Sequence, residues 1–227
     1  MTPPTKITSY MEQNVYNQKL SAAIRYQTMG LSIIPTGPDK KPLCDWKQYQ
    51  TQRADAPQIA VWWATWPDAN PAMITGKISG IVVLDLDAKH GRKSSEFRIP
   101  PTACVKSGGG GEHLYFRYPG TYVKTGSSIF GLGADVRGDG GYILLPPSIN
   151  ETGGLYEWVV EIDDVNVADA PVWFLDKTTT QDTKKYLEGV YGTAEGSRND
   201  TAASLAGKLL RYLPGAEWDL LAAPLLI

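Results

Sequence analysis

The stretch that most constrains the fold is residues 81–87, which read Ile-Val-Val-Leu-Asp-Leu-Asp. Apolar, mostly β-branched residues that run into an acidic pair are typical of a buried strand whose end reaches an open site. Side chains alternate along a strand, so Asp85 and Asp87 should share one face, about 7 Å apart. Two such carboxylates repel each other unless a cation lies between them, and Mg²⁺ and Mn²⁺ prefer oxygen ligands. The pattern indicates either a divalent-metal site for phosphate chemistry or an acidic strand end that enters a loop.

Composition is that of a globular protein. The chain has 227 residues, of which 42% are hydrophobic and 10% aromatic, so it can build a core and is not expected to be disordered. Its two cysteines, Cys44 and Cys104, lie far apart, which predicts neither a disulfide framework nor a zinc site. No signal peptide and no run of membrane-spanning length is visible. We therefore expect a cytoplasmic location and no membrane partner.

The formal net charge of -2 hides a local imbalance. Residues 77–137 contain nine Lys and Arg against five Asp and Glu, whereas residues 151–176 contain seven acids and no Lys or Arg. Any nucleic-acid surface should therefore lie on the first of these segments.

Short strands and few helices are predicted along the chain. Helical spacing favours a helix over residues 15–29 that stops at Gly30, and a Pro-initiated helix over residues 57–66. Strands are predicted at residues 31–35, 72–75, 81–87, 102–106, 113–118, 134–137, 141–146 and 156–160, and residues 172–175 fit either a helix or a strand. This mixture indicates an α+β fold rather than regular βαβ alternation. Trp62, Trp63 and Trp66 are expected to pack in the core, although such aromatics can also stack bases.

A glycine-rich turn over residues 107–112 precedes His113. Four glycines let backbone amides approach an anion, and Ser107 and His113 flank them as donors. The alternative is a flexible hairpin turn with a solvent-facing histidine. The turn is not a P-loop, because no Gly-Lys-Ser/Thr follows, and it is not a dinucleotide-binding fingerprint, because the next segment fits a strand.

A third stretch of interest contains Asp135 and Arg137. Two residues apart in a strand, they should face the same side, so that one could complete a metal site while the other clamps a phosphate. The alternative is an ordinary surface ion pair followed by a glycine turn. Asp139 lies within that turn, where Asp is common without any functional role.

Together, the three stretches resemble the bifunctional primase–polymerase (Prim-Pol) family of the archaeo-eukaryotic primase superfamily, known from plasmid and phage replication proteins. The matching segments are residues 83–87, 107–116 and 135–148, with an upstream match at residues 41–47. The resemblance covers roughly residues 15–175. Residues 195–200 are similar to the linker and first helix that precede a helicase or primase C-terminal module.

This resemblance implies a primase–polymerase core, in which an RRM-like sheet lies beside a second α/β subdomain. It implies nucleotidyl transfer from NTP or dNTP to a 3′-hydroxyl with Mg²⁺ or Mn²⁺, and Asp85, Asp87 and Asp135 as the catalytic, metal-binding acids. The residues expected to bind the nucleotide are His113, Arg137, Lys106, Ser107, Gly110 and Gly111. The chain departs from the superfamily at Gly111, which stands where a small hydroxyl residue is usual.

The expected partners are a single-stranded or primed DNA template and the nucleotide. A modest basic track, with members such as Lys40, Lys41, Lys47, Arg92 and Lys93, is expected to hold the template backbone. We predict a catalytic domain at residues 1–176, a polar linker at 177–197 and the start of a truncated helical module at 198–227, the piece of a longer protein.

Two other functions stay open. A glycosyltransferase-like enzyme would use the Asp85–Asp87 pair to hold a metal on a nucleotide-sugar, but it would leave His113 and the Asp135–Arg137 element without a role. A non-catalytic DNA-binding replication module would bind without metal and would keep its binding after loss of the acidic pair.

Overall fold

The computed structural model describes residues 18–179, which form two antiparallel sheets and three α-helices. The helices are α1 (residues 18–28), α2 (Ala56–Thr65) and α3 (Val172–Thr178). The strands are β1 (Ser32–Thr36), β2 (Asn70–Ile74), β3 (Ile81–Leu86), β4 (Cys104–Lys106), β5 (Glu112–Arg117), β6 (Ala134–Arg137), β7 (Tyr142–Leu144) and β8 (Glu157–Val160). The antiparallel pairing confirms the α+β prediction.

The order of the strands decides which residues can meet. The smaller sheet has the order β1-β2-β7, and the larger has the order β6-β3-β5-β4-β8. Strand β3 is therefore flanked by β5 and β6, and Asp85 is the register partner of His113 on one side and of Asp135 on the other. Register partners lie side by side on the same face of a sheet. The three sequence motifs are thus brought into one row across three adjacent strands.

The helices lie within about one residue of their predicted ranges where these are described, since α2 spans Ala56–Thr65 and residues 57–66 were predicted. Helix α1 stops at Gly30, whose φ of 84° is readily adopted only by glycine. Asp55 caps α2 by accepting a hydrogen bond from the Gln58 amide at 2.9 Å. Trp62 and Trp63 on α2 are 5% and 0% exposed, so the packing interpretation of these aromatics is confirmed. Residues 172–175 belong to a helix and not to a strand.

Tyr26 of α1 connects the two sheets. Its buried hydroxyl donates to the carbonyl of Pro146, just after β7, at 2.7 Å. The same hydroxyl accepts from Trp158 Nε1 on β8 at 2.8 Å. Because an unsatisfied buried hydroxyl is costly, these two bonds fix how the smaller sheet sits against the larger one.

An aromatic cluster attaches the loops after β3 and before β6 to α3. The ring of Phe97 stacks on Trp173 with centroids 5.2 Å apart, and Phe130 stacks on Phe174 at 5.6 Å. Arg92 adds a hydrogen bond from Nη2 to the Phe130 carbonyl at 2.8 Å. Helix α3 therefore holds the loop after β3 and the loop before β6 in place. Other residues of these two loops line the cleft described in the next section.

The predicted helical module and all but the first three residues of the predicted linker lie outside the described residues. Lys177 and Thr178, predicted as the start of the linker, belong to α3. Among the residues that are described, no helix combines the length and the apolar character needed to cross a bilayer.

The glycine turn between β4 and β5 packs closely against a second turn. A Cβ placed on Gly108 would lie 2.3 Å from the carbonyl oxygen of Gly154, and one on Gly154 would lie 1.9 Å from the carbonyl oxygen of Gly108. Gly109, the next residue, has open space where its Cβ would be. Close backbone contact therefore explains Gly108 without any ligand.

We predict that Gly108→Ala lowers the free energy of unfolding by about 1–3 kcal/mol, because the two backbones must move apart. Gly109→Ala is the matched control and should change stability little. Urea denaturation of both variants checks this, and equal stability of the two would show that the contact with Gly154 is not a tight one.

Candidate active-site cleft

A cleft of about 720 Å³ opens where β3, β5 and β6 end. Its size is within the range of small-molecule and cofactor sites. Residues from all three sequence motifs line it, namely Asp85, Asp87, Ser107, Gly109, His113, Asp135 and Arg137. The row that the strand register creates is therefore exposed to a cavity that can admit a ligand.

Asp85, Asp135 and Arg137 form one charge cluster at the floor of this cleft. Arg137 Nη2 lies 2.9 Å from Asp85 Oδ2 and 3.1 Å from Asp135 Oδ2. The three side chains are only 21–29% exposed, so solvent screens their interactions weakly. A single cationic group thus bridges two carboxylates that lie opposite each other on β3 and β6 and offsets part of their charge. Its Nη2 nitrogen marks a position at which both acids can hold a cation.

The Asp135 carboxylate is also fixed from the other side. Its Oδ1 accepts a hydrogen bond from the Ser128 amide at 2.8 Å, and Ser128 has a left-handed backbone with φ of 55°. Such a conformation costs free energy in a non-glycine residue. The loop before β6 therefore holds Asp135 in place for the cluster.

Asp87 lines the same cleft but has different partners. Its Oδ1 accepts a hydrogen bond from the Lys89 amide at 2.9 Å, and its Oδ2 lies 3.8 Å from His90 Nε2. Asp87 therefore caps the short 3₁₀ turn Ala88–His90. The structure brings Asp85 and Asp135 together. Asp87 lies two residues after Asp85, at the start of the 3₁₀ turn.

His113 is buried next to Asp85. It is 3% exposed, its Nε2 lies 3.5 Å from Asp85 Oδ1, and its Nδ1 has no hydrogen-bond partner among the described residues. The pKa of His113 is lowered to about 4, mainly by burial; Asp85 acts to raise it, and Arg137 and Lys40 act to lower it. The imidazole is therefore neutral at physiological pH, and its contact with Asp85 is not an ion pair. The alternative of a solvent-facing histidine is wrong.

The glycine turn uses most of its own polar groups. Ser107 Oγ accepts from the Gly111 amide at 3.0 Å, and the Gly110 amide donates to the Ser107 carbonyl at 2.8 Å. A Cβ on Gly111 would lie 2.2 Å from the Leu86 carbonyl oxygen, which explains why no hydroxyl residue stands there. Of the four glycines, Gly109 lines the cleft. The amides of Gly110 and Gly111 are thus engaged within the turn, and the sequence did not single out Gly109.

Asp139 has the structural role expected of a turn residue. Its carboxylate accepts hydrogen bonds from the Lys77 amide at 3.1 Å and the Val123 amide at 2.8 Å. These bonds tie the turn after β6 to the segments after β2 and before β6, and so support Arg137 two residues earlier.

Of the expected basic track, Lys40 lines the cleft and the other members do not. Lys106 is exposed at the end of β4, Lys47 and Lys93 are exposed, and Lys41 forms an ion pair with Asp39 at 2.9 Å. Arg92 is engaged within the fold, since it bonds Glu96 at 2.8 Å as well as the Phe130 carbonyl. Lining residues that lie outside all the matching segments include Thr125 and Tyr156.

A second acidic group lies on the surface. Among the described residues, Glu161, Asp163 and Asp164 form the group of three potential ligands whose atoms all lie within 4.8 Å of one another. Arg25 already occupies this group, with Nη2 at 2.8 Å from Glu161 Oε2 and 2.5 Å from Asp163 Oδ2. The side chains of Arg25, Glu161 and Asp163 are 38–43% exposed, so their contacts are those of a solvated surface ion-pair cluster.

The fold and the cleft define a mixed α/β protein with a site suited to a phosphate-bearing ligand and a hard cation. A family model described as bifunctional DNA primase/polymerase, N-terminal, matches residues 23–173, which is more than half of the chain. The chain therefore belongs to this Prim-Pol family, and the resemblance inferred from the three motifs is confirmed. Family membership implies activity of the DNA primase or polymerase type. A search among curated proteins found no match.

The buried state of His113 predicts a pH dependence of stability. In the folded protein His113 remains neutral down to about pH 4, whereas in the unfolded chain it takes up a proton near its ordinary pKa of 6.5. Its contribution to stability is therefore complete above pH 6.5 and is lost as the pH falls toward 4. We expect the melting temperature in EDTA to fall over this range more steeply for the wild type than for His113→Gln.

The matched control is His90→Gln, which removes the exposed histidine and should keep the wild-type slope. Identical slopes for the wild type and His113→Gln would contradict the lowered pKa of His113.

Proposed function

We propose that this chain is a divalent-metal-dependent nucleotidyltransferase, acting as a DNA primase or a template-directed DNA polymerase in a mobile-element replication protein of the cytoplasm. The observation that carries the proposal is the convergence of Asp85 Oδ2 and Asp135 Oδ2 on one cationic nitrogen at the floor of the cleft. In this proposal the five-stranded sheet is the RRM-like element, and the three-stranded sheet with its helices is the second subdomain.

The donor set of the cluster fits Mg²⁺ or Mn²⁺. Both ions prefer carboxylate oxygens, and two carboxylates held close together without a cation would repel each other. Asp85 and Asp135 would hold the ion, with Asp87 as a further carboxylate in the lining of the cleft. In a two-metal mechanism, one bound ion would supply activation of the attacking 3′-hydroxyl and a second would supply charge neutralisation of the leaving pyrophosphate.

The residues of the chain then have distinct tasks. Arg137, freed from the two carboxylates, can bind the triphosphate in the bidentate manner that guanidinium groups favour. His113, being neutral, can donate one ring N–H to a phosphate oxygen without bringing a second buried positive charge next to Arg137. Ser107 and the Gly109 amide lie on the same lining and can approach the phosphates. These groups orient the nucleotide and complement its charge.

The template is proposed to follow exposed lysines. Lys41, Lys47 and Lys93 are exposed, so they can contact phosphates without breaking buried interactions. Arg92 is less available, because its guanidinium supports the loop at Phe130. In the same proposal residues 1–176 are the catalytic domain, 177–197 a linker and 198–227 the start of a helicase-associated or primase C-terminal module.

Asp85→Asn and Asp135→Asn should each reduce nucleotide incorporation on a primed template by on the order of 100-fold or more, because the cation then loses a charged ligand. Gel analysis of labelled primer extension with Mn²⁺ or Mg²⁺ measures this, and circular dichroism checks that both variants fold.

The matched control is the double variant Asp163→Asn, Asp164→Asn, which removes two acids from the surface group and should extend primers like the wild type. Loss of activity in this control, with full activity of Asp85→Asn, would move the metal to the surface group. Binding of DNA without any incorporation by the wild type would favour the non-catalytic module.

Arg137→Gln should change how the free protein responds to metal. Without metal, the variant leaves two poorly solvated carboxylates unneutralised and should lose about 1–3 kcal/mol of stability. Because the cation no longer competes with the guanidinium, Mn²⁺ should raise the melting temperature of the variant more than that of the wild type.

Arg117→Gln is the control for this experiment, since it removes an exposed ion pair with Asp169 at 2.8 Å, away from the cleft. It should show the wild-type response to Mn²⁺. An equal Mn²⁺ shift in Arg137→Gln and the wild type would rule out competition for the two carboxylates.

A further inference from the structure

Lys40 occupies a backbone position that normally belongs to glycine. The turn after β1 is closed by hydrogen bonds from the Lys40 amide to the Gly37 carbonyl at 3.0 Å and from the Gly37 amide to the Lys41 carbonyl at 2.8 Å. This pattern is a type I turn followed by a bulge whose first residue is left-handed, for which glycine is the default. Lys40 takes this place with φ of 68°. A strained residue retained in a cleft suggests that its side chain has a use there.

The strain is not explained by contacts within the protein. Two non-glycine residues of the described chain have a left-handed backbone, Lys40 and Ser128, and both line the cleft. The left-handed backbone of Ser128 has a structural explanation, because its amide donates a hydrogen bond to Asp135. The Lys40 side chain, in contrast, has neither an ion pair nor a hydrogen bond among the described residues.

Its neighbours in the turn neutralise each other. Asp39 accepts a hydrogen bond from the Lys41 amide at 3.1 Å and pairs with Lys41 Nζ at 2.9 Å, so these two charges cancel locally. Lys41 is 80% exposed and does not line the cleft, whereas Lys40 does. The turn therefore presents one uncompensated positive charge to the cavity.

Lys40 also differs from the other cations of the cleft. Arg137 is engaged by Asp85 and Asp135, and the field of Lys40 reaches His113, whose pKa it helps to lower. Lys89, the remaining lysine of the lining, follows Asp87 on the acidic side and has no such effect on His113. Lys40 enters instead from the smaller sheet and faces the acidic floor from a separate element.

We propose that Lys40 is a substrate-binding residue that holds the triphosphate of the incoming nucleotide against the row formed by Asp85, His113 and Asp135. The inference rests on the proposed nucleotidyl transfer. An ammonium group is a mobile point charge that suits the oxygens of a phosphate chain, and it would balance the negative charge that the nucleotide brings into an acidic cleft. The β1 turn thereby becomes a second wall of the nucleotide site, beyond the three motifs.

Replacing Lys40 by glycine should affect stability and nucleotide affinity differently. Lys40→Gly relieves the left-handed strain, so its melting temperature should stay equal to or rise above that of the wild type. The same variant removes the charge, and its affinity for a non-hydrolysable dATP analogue should fall by about tenfold, as for the loss of a charged hydrogen bond. Lys40→Asn, which tolerates the left-handed backbone, should lose affinity equally, and Lys40→Arg should retain it.

Calorimetric titration of the analogue in the presence of Mg²⁺ gives the affinities, and deoxyadenosine serves as the ligand without phosphates. Lys77→Asn, an exposed lysine outside the lining of the cleft, is the control variant. Unchanged affinity in Lys40→Gly and Lys40→Asn would overturn the inference. A loss seen with a labelled single-stranded oligonucleotide but not with the analogue would also overturn it, by assigning Lys40 to the template.

The wild-type titration separates this inference from the proposed function. If the wild type extends primers while the Lys40 variants bind and extend like it, the inference alone fails. If the wild type neither binds the analogue nor extends primers, the proposed function fails and the inference falls with it.

Discussion

The contact of Arg137 with Asp85 and Asp135 is the interaction on which the site depends. It joins β3 to β6 across their register and places three charges in a partly buried row. In a low-dielectric setting two neighbouring carboxylates are tolerated only with a compensating cation, and Arg137 provides one from within the chain. The site can therefore fold without metal and still present a position that a divalent ion can take over.

Much of the surrounding structure keeps this row in place. The Ser128 amide holds Asp135, the Asp139 carboxylate anchors the turn behind Arg137, and the aromatic cluster on α3 fixes the loops on either side. Several glycines also act by packing rather than by binding. Gly108 and Gly111 allow backbone contacts that any side chain would prevent, and Gly109 remains as the glycine of that turn that lines the cleft.

Local patterns in the sequence indicated the strands of the site correctly, and the acids and the histidine that the patterns singled out line one cleft. The run from Ile81 to Leu86 is a buried strand, and the stretches around His113 and Asp135 are strands as well. The pairing of these strands could not be predicted from the sequence, because strands that are neighbours in the chain, such as β6 and β7, belong to different sheets. Spacing along one strand also suggested that Asp85 and Asp87 act as a pair. The strand register adds a neighbour that spacing could not show, since Asp85 lies opposite Asp135, while Asp87 lines the same cleft and also caps a turn.

The sequence indicated Lys40 only as one member of a basic track for the template. The segment Gly-Pro-Asp-Lys-Lys is a polar turn with two similar lysines, and the structure distinguishes them by the left-handed backbone of Lys40, the ion pair of Lys41 with Asp39 and the lining of the cleft. Arg92, which is also expected to contact DNA, donates a hydrogen bond that supports the loop at Phe130, which the sequence did not indicate. Charge in a sequence thus indicates which residues can bind a polyanion, and the backbone decides which of them face the site.

The position of the metal is the most direct measure of the central claim. Crystals grown with Mn²⁺ and a non-hydrolysable dNTP analogue would show it as an anomalous scattering peak. The account predicts a peak at bonding distance from carboxylate oxygens of both Asp85 and Asp135, with Arg137 turned away from them toward the phosphates. A peak at Glu161, Asp163 and Asp164 with none in the cleft, or an ordered nucleotide in the cleft with Arg137 still between the two carboxylates, would contradict it.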